Sequence, residues 1–235
     1  MRYALVNCDI YTGESVLYDK AIVVNGPRIE SLLDIDKVPK DIDVHDLKGD
    51  SIAPGFIDIQ ANGGGGKLFT DEPTEDCVSL MCEAHKHFGT TNFLPTLIST
   101  SYEKMIQAID TIKSLMANSK FGVLGLHLEG PYINEGKGGA HDKRYIRRIS
   151  NEEVDSLIER GKGIITIFTV APEVVEGPYI KKNEGSRNRS GGWTYKCNLR
   201  SSGSIISFWR LTSNPFVQCN VTTYQQRTRC CRSSA

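Results

Sequence analysis

No run of 18 apolar residues occurs in the chain, so no transmembrane helix and no membrane partner are expected. The opening stretch MRYALVNCDIYTGE has no apolar signal core, and the expected location is the cytoplasm. Charge of one sign is not in excess: 28 Lys and Arg balance 28 Asp and Glu. That removes the usual argument for a nucleic-acid partner or a charged membrane surface. The seven cysteines contain no CxxC pair. In a reducing compartment they are expected as free thiols, with Cys77 and Cys82 as packing residues of a helical pattern.

What is present is ordinary for a globular protein: 39% apolar and 24% charged residues over 235 positions. Such a length allows one large domain, or a large domain with a small one. The even averages hide a division. From Asn183 onward there are eight basic residues and one acid, Glu184, which leaves 20 basic and 27 acidic residues before it. Four of the seven cysteines also fall after Asn183.

Residues 2–50 read as short strands, with Asn25-Gly26 between two apolar runs as a hairpin signal. From Ser51 apolar runs alternate with helical segments. SIAPGFIDIQ, TNFLPTL, FGVLGLHLE and GIITIFTVAPE read as strands. Glu75 to Phe88 reads as a helix, with Cys77, Leu80, Met81, Ala84 and Phe88 near one face. Thr100 with Glu103 makes a capping box for a helix that turns Met105, Ile106, Ile109, Ile112 and Met116 inward. Ser150 with Glu153 makes another, with Val154, Leu157 and Ile158 inward. The alternation argues for an α/β protein with a parallel sheet or barrel. In such folds chemistry sits at the C-terminal ends of strands, where Asp58, Gln60, Glu129 and Glu173 fall. After Lys182 no sustained period, turn-bounded strand or capped helix is legible.

Glu129 ends the apolar run of FGVLGLHLEGP. A carboxylate there is either a metal ligand or acid/base group, or a strand-end residue that caps a turn or pairs with a base. His127 reads as a strand histidine with a backbone partner, or as a ligand. NGGGGK, Asn62 to Lys67, lacks the P-loop spacing and reads as a flexible loop over a pocket. His141 follows a glycine-rich loop, where histidines contact substrate or stay solvated. Lys143, Arg144, Arg147 and Arg148 either meet an anion or form a solvated helix face.

PGFIDIQANGGGG, TNFLPTLISTS, GLHLEGPYIN, KGGAH and TVAPE, in this order and spacing, resemble the N-acetylglucosamine-6-phosphate deacetylase family of the amidohydrolase superfamily. The resemblance covers about residues 1–182. It implies a small N-terminal β-sandwich portion over 1–50 and the first half of a metal-dependent (β/α)8 barrel over 51–182. It implies hydrolysis of an amino-sugar phosphate acetamide to acetate and glucosamine 6-phosphate. One divalent metal, zinc, would polarise the carbonyl and acidify a water. A downstream aspartate would move the proton. Glu129 matches the family's metal-binding glutamate. Ala140 and His141 match positions that contact the substrate. Many superfamily members carry H-x-H after PGFID; here Gln60 and Asn62 stand in those places. Amides are poor zinc ligands beside imidazole, which favours a one-metal site. The full-length family form implies a homo-oligomer, with a small-molecule substrate and no nucleic acid.

The family also needs two further ligand histidines, in AGH and THLYNAM motifs, and the aspartate. Residues 183–235 contain none of these in the frame as written. Codons permitted for Asn183 to Asn198, read one nucleotide later, give MREAGTEVVAGHTNAT. Codons permitted from Ser213 onward give ATHLYNAMSPLTNSEPGVVGAV. The expectation is a frameshift near Lys181-Lys182-Asn183, a non-native tail over 183–235, and a chain that is inactive as written. Half a barrel leaves strand edges open, which weighs against stable folding. Two other readings stay open. One is a different amidohydrolase, such as a deaminase or dihydroorotase-like enzyme, which H-x-H at Gln60 and Asn62 would have favoured. The other is a non-catalytic protein with a basic binding tail, which salt-dependent nucleic-acid binding would support.

Overall fold

A computed structural model describes residues 1–171, Val174, and the backbone course of Thr194–Tyr195 and Ser207–Arg210. The chain forms two compact units: Met1–Thr96 with Ser114–Leu124, and Leu97–Lys113 with the described residues from Gly125 onward.

The first unit begins with β1 (Arg2–Val6), β2 (Asp9–Tyr11), β3 (Val16–Leu17), β4 (Lys20–Asn25), β5 (Arg28–Asp34), β6 (Asp43–Asp46) and β7 (Ser51–Ile52). They make a four-stranded sheet in the order β5-β4-β1-β6 and a three-stranded one in the order β3-β2-β7. The short strands alternate too briefly to fill a core alone. One apolar cluster draws on both sheets: Cys8, Ile10 and Ile22, with Leu5, Leu17, Val24, Leu47 and Ile52 packed around them. The hairpin signal is displaced by one residue. Asn25 pairs with Arg28, so Gly26 and Pro27 are the central pair, and Gly26 takes the positive φ of 56° that the turn requires.

β8 (Phe56–Ala61) follows, then β9 (Gly63–Gly64) and β10 (Lys67–Leu68). The glycine-rich segment is therefore a tight hairpin rather than a loose loop. Gly65 and Gly66 form its turn at φ 59° and 83°, values that side chains resist. A Cβ on Gly64 would stand 3.0 Å from Met81 Cα, so the hairpin packs closely on the next helix. That helix, α1 (Glu75–Lys86), is capped by Thr74, whose side chain accepts from the amide of Cys77. It buries Cys77, Val78 and Met81. It stops at Lys86, which leaves Phe88 80% exposed instead of on the inner face, and Leu80 also faces outward. β11 (Thr90–Leu97) runs parallel to β8, with two register shifts. Residues 122–124 run along its other side, with a parallel bridge between Phe93 and Val123.

α2 (Tyr102–Ala117) leads into the second unit's elements. Its cap is Ser101 rather than Thr100: the Ser101 hydroxyl accepts from the amide of Lys104 at 3.4 Å. The buried face is Met105, Ala108, Ile109, Ile112 and Leu115, while Ile106 and Met116 are half-buried. β12 (Leu126–Glu129), α3 (Asn151–Arg160) and β13 (Ile165–Val170) then make a β-α-β sequence, with β12 and β13 parallel. This is the connection that alternating patterns predict. Ser150 caps α3 by accepting from Glu153 N, a contact worth about 1 kcal/mol. The reciprocal half of the box is not made, because Arg147 takes the Glu153 carboxylate. Val154 and Leu157 of α3 are buried, at roughly 1.5–3 kcal/mol each.

β14 (Thr194–Tyr195) and β15 (Ser207–Arg210) lie in the stretch where the sequence pattern shows no strand. β15 pairs with β13 antiparallel. The described strands thus give parallel pairs within a mixed α/β arrangement. Glu173 and the remainder of the tail fall outside the described residues.

Candidate functional site

Glu129 is the last residue of β12. Leu126, His127 and Leu128 before it are buried, so the strand holds the carboxylate's backbone rigidly. β13 lies alongside, with Glu129 opposite Thr169 in register. The next residue, Gly130, has φ 81° and its amide donates to Thr169 O at 2.8 Å. The chain must turn there without a side chain. A Cβ on Gly130 would stand 2.5 Å from Ser99 Oγ.

The loop after this turn returns His141 to the strand end. A single 3-10 turn at Glu135–Lys137, capped by the Asn134 side chain, shapes the loop. The amide of His141 donates to Gly138 O at 2.9 Å. Its ring is then held by Ser99, which lies just past the end of β11. Ser99 N–H donates to Nδ1 at 3.1 Å, and Ser99 Oγ is 2.7 Å from the same nitrogen. On the other edge of the ring, Nε2 lies 3.7 Å from Glu129 Oε1. The side chains are 9% and 20% exposed respectively. A carboxylate and an imidazole thus face each other, both largely buried, at the C-terminal end of parallel strands.

A scaffold of polar contacts carries the loop. The Arg147 guanidinium donates to Thr100 O at 3.1 Å and Tyr145 O at 2.9 Å, and it pairs with Glu153. Tyr132 lies fully buried beside it, with the guanidinium 6.0 Å from the ring centroid. Burial, and then the negative charge of Glu153, push the Tyr132 phenol far above its ordinary pKa. Its hydroxyl has the Glu153 carboxylate nearby but falls short of hydrogen-bond geometry with any described residue.

The other candidates separate clearly. His127 is buried and its Nε2 lies 2.8 Å from Thr169 Oγ1. That is the strand histidine with a satisfied ring, although the partner is a side chain. Ala140 is exposed and stands directly before His141 in the loop. Gln60 and Asn62 belong to the first unit, at the end of β8 and just beyond, and both are exposed. Lys67 is paired with Glu72 at 2.7 Å rather than aimed at a phosphate. Lys143 and Arg144 lie in a turn, not on a helix face, and pair with Glu135 and Asp142. Arg147 is structural. Ser99 was not legible as a site residue: ISTS offers three hydroxyls with no period. The one signal for it is its position just past a parallel strand's C-terminal end.

The metal that the sequence resemblance implies can be tested against these residues. Among the described residues no three of His, Cys, Asp and Glu come together as a metal cluster. Glu129 and His141 form a pair only, whereas catalytic zinc takes three protein ligands and an open position. The described residues do not by themselves fit the ion. Among them, too, no helix is long and apolar enough to cross a membrane.

Comparison with known proteins bears on this geometry. A family model described as the NagA composite domain matches residues 2–52. An N-acetylglucosamine-6-phosphate deacetylase of Haemophilus influenzae is 40% identical over 173 residues, covering 74% of this chain and 45% of that protein. An N-acetylgalactosamine-6-phosphate deacetylase of a Shewanella species is 37% identical over 161 residues, covering 68% of this chain and 36% of that protein. The crystal structure of N-acetylglucosamine-6-phosphate deacetylase from Pasteurella multocida superposes with a TM-score of 0.70 at 39% identity. It covers 74% of this chain and 46% of that one. The chain therefore spans less than half the length of the relatives it matches. Over about three quarters of its own length it resembles the amino-sugar-phosphate deacetylases.

Proposed function

We propose that this chain is the N-terminal portion of an N-acetylglucosamine-6-phosphate deacetylase, an enzyme that hydrolyses the acetamide to acetate and glucosamine 6-phosphate. One observation carries the reading. In a chain with 40% identity to such an enzyme, a loop histidine is turned onto a strand-end glutamate, Nε2 to Oε1 3.7 Å. Glu129 is the metal ligand in this reading. Ala140 and His141 contact the substrate, with Gln60 and Asn62 near the site. The ion is a single divalent metal, zinc, and the location is the cytoplasm.

The proposed organisation follows the same lines. Residues 1–50 are a small β-domain portion and 51–182 the first half of a (β/α)8 barrel. Residues 183–235 are translated out of frame. Three things support the last point. The sequence divides in charge and cysteine content at Asn183. The one-nucleotide shift recovers both histidine motifs in order. The described part of the tail lays an antiparallel strand on β13, where a (β/α)8 barrel continues with parallel strands. The two ligands and the aspartate that Glu129 lacks would lie in the shifted frame, so the chain as written is inactive.

The test is acetate release by the protein expressed from the gene with one base removed near codons 181–183. N-acetylglucosamine 6-phosphate should be the substrate, and its N-acetylgalactosamine counterpart, which the Shewanella relative's name specifies, should be turned over less. Turnover of a cyclic amide or an aminopurine instead, with neither sugar phosphate hydrolysed, would place the chain elsewhere among the amidohydrolases.

A further inference from the structure

Both hydrogen-bond neighbours of His141 Nδ1 come from Ser99. The backbone N–H donates across 3.1 Å, and the hydroxyl oxygen is 2.7 Å away. A backbone amide has only a proton to offer. A proton on Nδ1 would face it head-on, so Nδ1 is the bare, accepting nitrogen. The serine hydroxyl then donates to it as well, and the neutral ring carries its proton on Nε2. Nε2 is the nitrogen on the Glu129 side. At 3.7 Å the two are too far apart for a direct hydrogen bond, yet close enough for both to reach one bound atom. Gly130 closes the arrangement from below, since its missing Cβ leaves the space that Ser99 Oγ occupies.

We infer that Ser99 is a positioning residue: it holds His141 as a single Nε2–H tautomer and aims that N–H, as a hydrogen-bond donor, at an acceptor oxygen bound beside Glu129. A histidine serving as a base toward that position would need Nε2 bare, and Ser99 enforces the opposite. That the acceptor oxygen belongs to an amino-sugar phosphate rests on the function proposed above; the tautomer does not.

The experiment is long-range proton–nitrogen NMR of the ¹⁵N-histidine-labelled 235-residue chain, at a pH where imidazoles are neutral. His141 is assigned by its loss in His141→Gln. One tautomer is expected for His141, with Nδ1 bare and Nε2 protonated. Exposed His87 supplies the reference pattern of an unconstrained ring. Ser99→Ala keeps the amide but removes the hydroxyl, so His141 should stay protonated on Nε2 while its nitrogen shifts move with the loss of one hydrogen bond to Nδ1. Ser99→Thr should restore them. Gly130→Ala should cause the same movement by displacing Ser99. A protonated Nδ1 in the parent chain, a His141 ring indistinguishable from His87, or unchanged nitrogen shifts in Ser99→Ala would each overturn the inference. No arm depends on turnover, so a protein that proves to have another activity leaves the tautomer result standing.

Discussion

Glu129 Oε1 and His141 Nε2 stand 3.7 Å apart, brought together by the Gly130-Pro131 turn and the short loop after it. The strand supplies the carboxylate and the loop supplies the imidazole. Two groups of this kind can bind and orient a polar substrate. They do not make a three-ligand metal centre.

The first consequence concerns the chain as written. The 235-residue protein should release no measurable acetate from N-acetylglucosamine 6-phosphate. Turnover by the purified chain, abolished by a chelator, would show that Glu129 finds its partners without a change of frame.

In the protein expressed from the corrected gene, the two residues should separate by metal content. Glu129→Gln keeps the shape but loses the charge that stabilises a cation, so metal and activity should both go while the fold survives. His141→Ala should keep the metal and lower kcat/KM by about 10²-fold, the scale of losing one positioned hydrogen-bond donor. Metal analysis of both variants beside the parent decides. Full occupancy in Glu129→Gln would make Glu129 a turn cap or an ion-pair partner.

How far the sequence foretold this can be read from particular residues. Glu129 was legible because a buried apolar run ends at it and a Gly-Pro turn follows. The strands β11, β12 and β13 and the cap Ser150 obey local rules and are where those rules put them or close by. The α2 cap moved from Thr100 to Ser101 because consecutive hydroxyls compete, and the exit of β11 decides which one faces the helix. Phe88 faces out because α1 ends two residues before it, and Leu80, within the helix, lies off the buried stripe of Cys77, Val78 and Met81. The glycines of NGGGGK suggest a flexible loop, whereas Gly65 and Gly66 supply the positive φ of a tight turn and Gly64 and Gly65 pack on α1. Ser99 depends on a contact with a residue 42 positions away, which no local period encodes.

A pH effect belongs to the N-terminal hairpin. Hydrogen bonds from Lys20 and then Lys37 lower the Asp34 carboxyl to about 2. A depressed folded pKa means that its contribution is present above the ordinary carboxylate pKa and is lost as pH falls toward about 2. Carbon-detected NMR titration should find Asp34 still ionised at a pH where exposed carboxylates have protonated. Lys20→Met should move its midpoint upward. An Asp34 midpoint in the ordinary range in the parent would mean that the Lys20 contact is not held in solution.

The most direct measurement is the nucleotide sequence across codons 181–183 and downstream. Removal of one base there should open a longer frame that reads AGHTNAT and then THLYNAM, which supplies the two histidines that Glu129 lacks. A shifted frame that meets an early stop and contains neither motif would contradict the proposal at its centre.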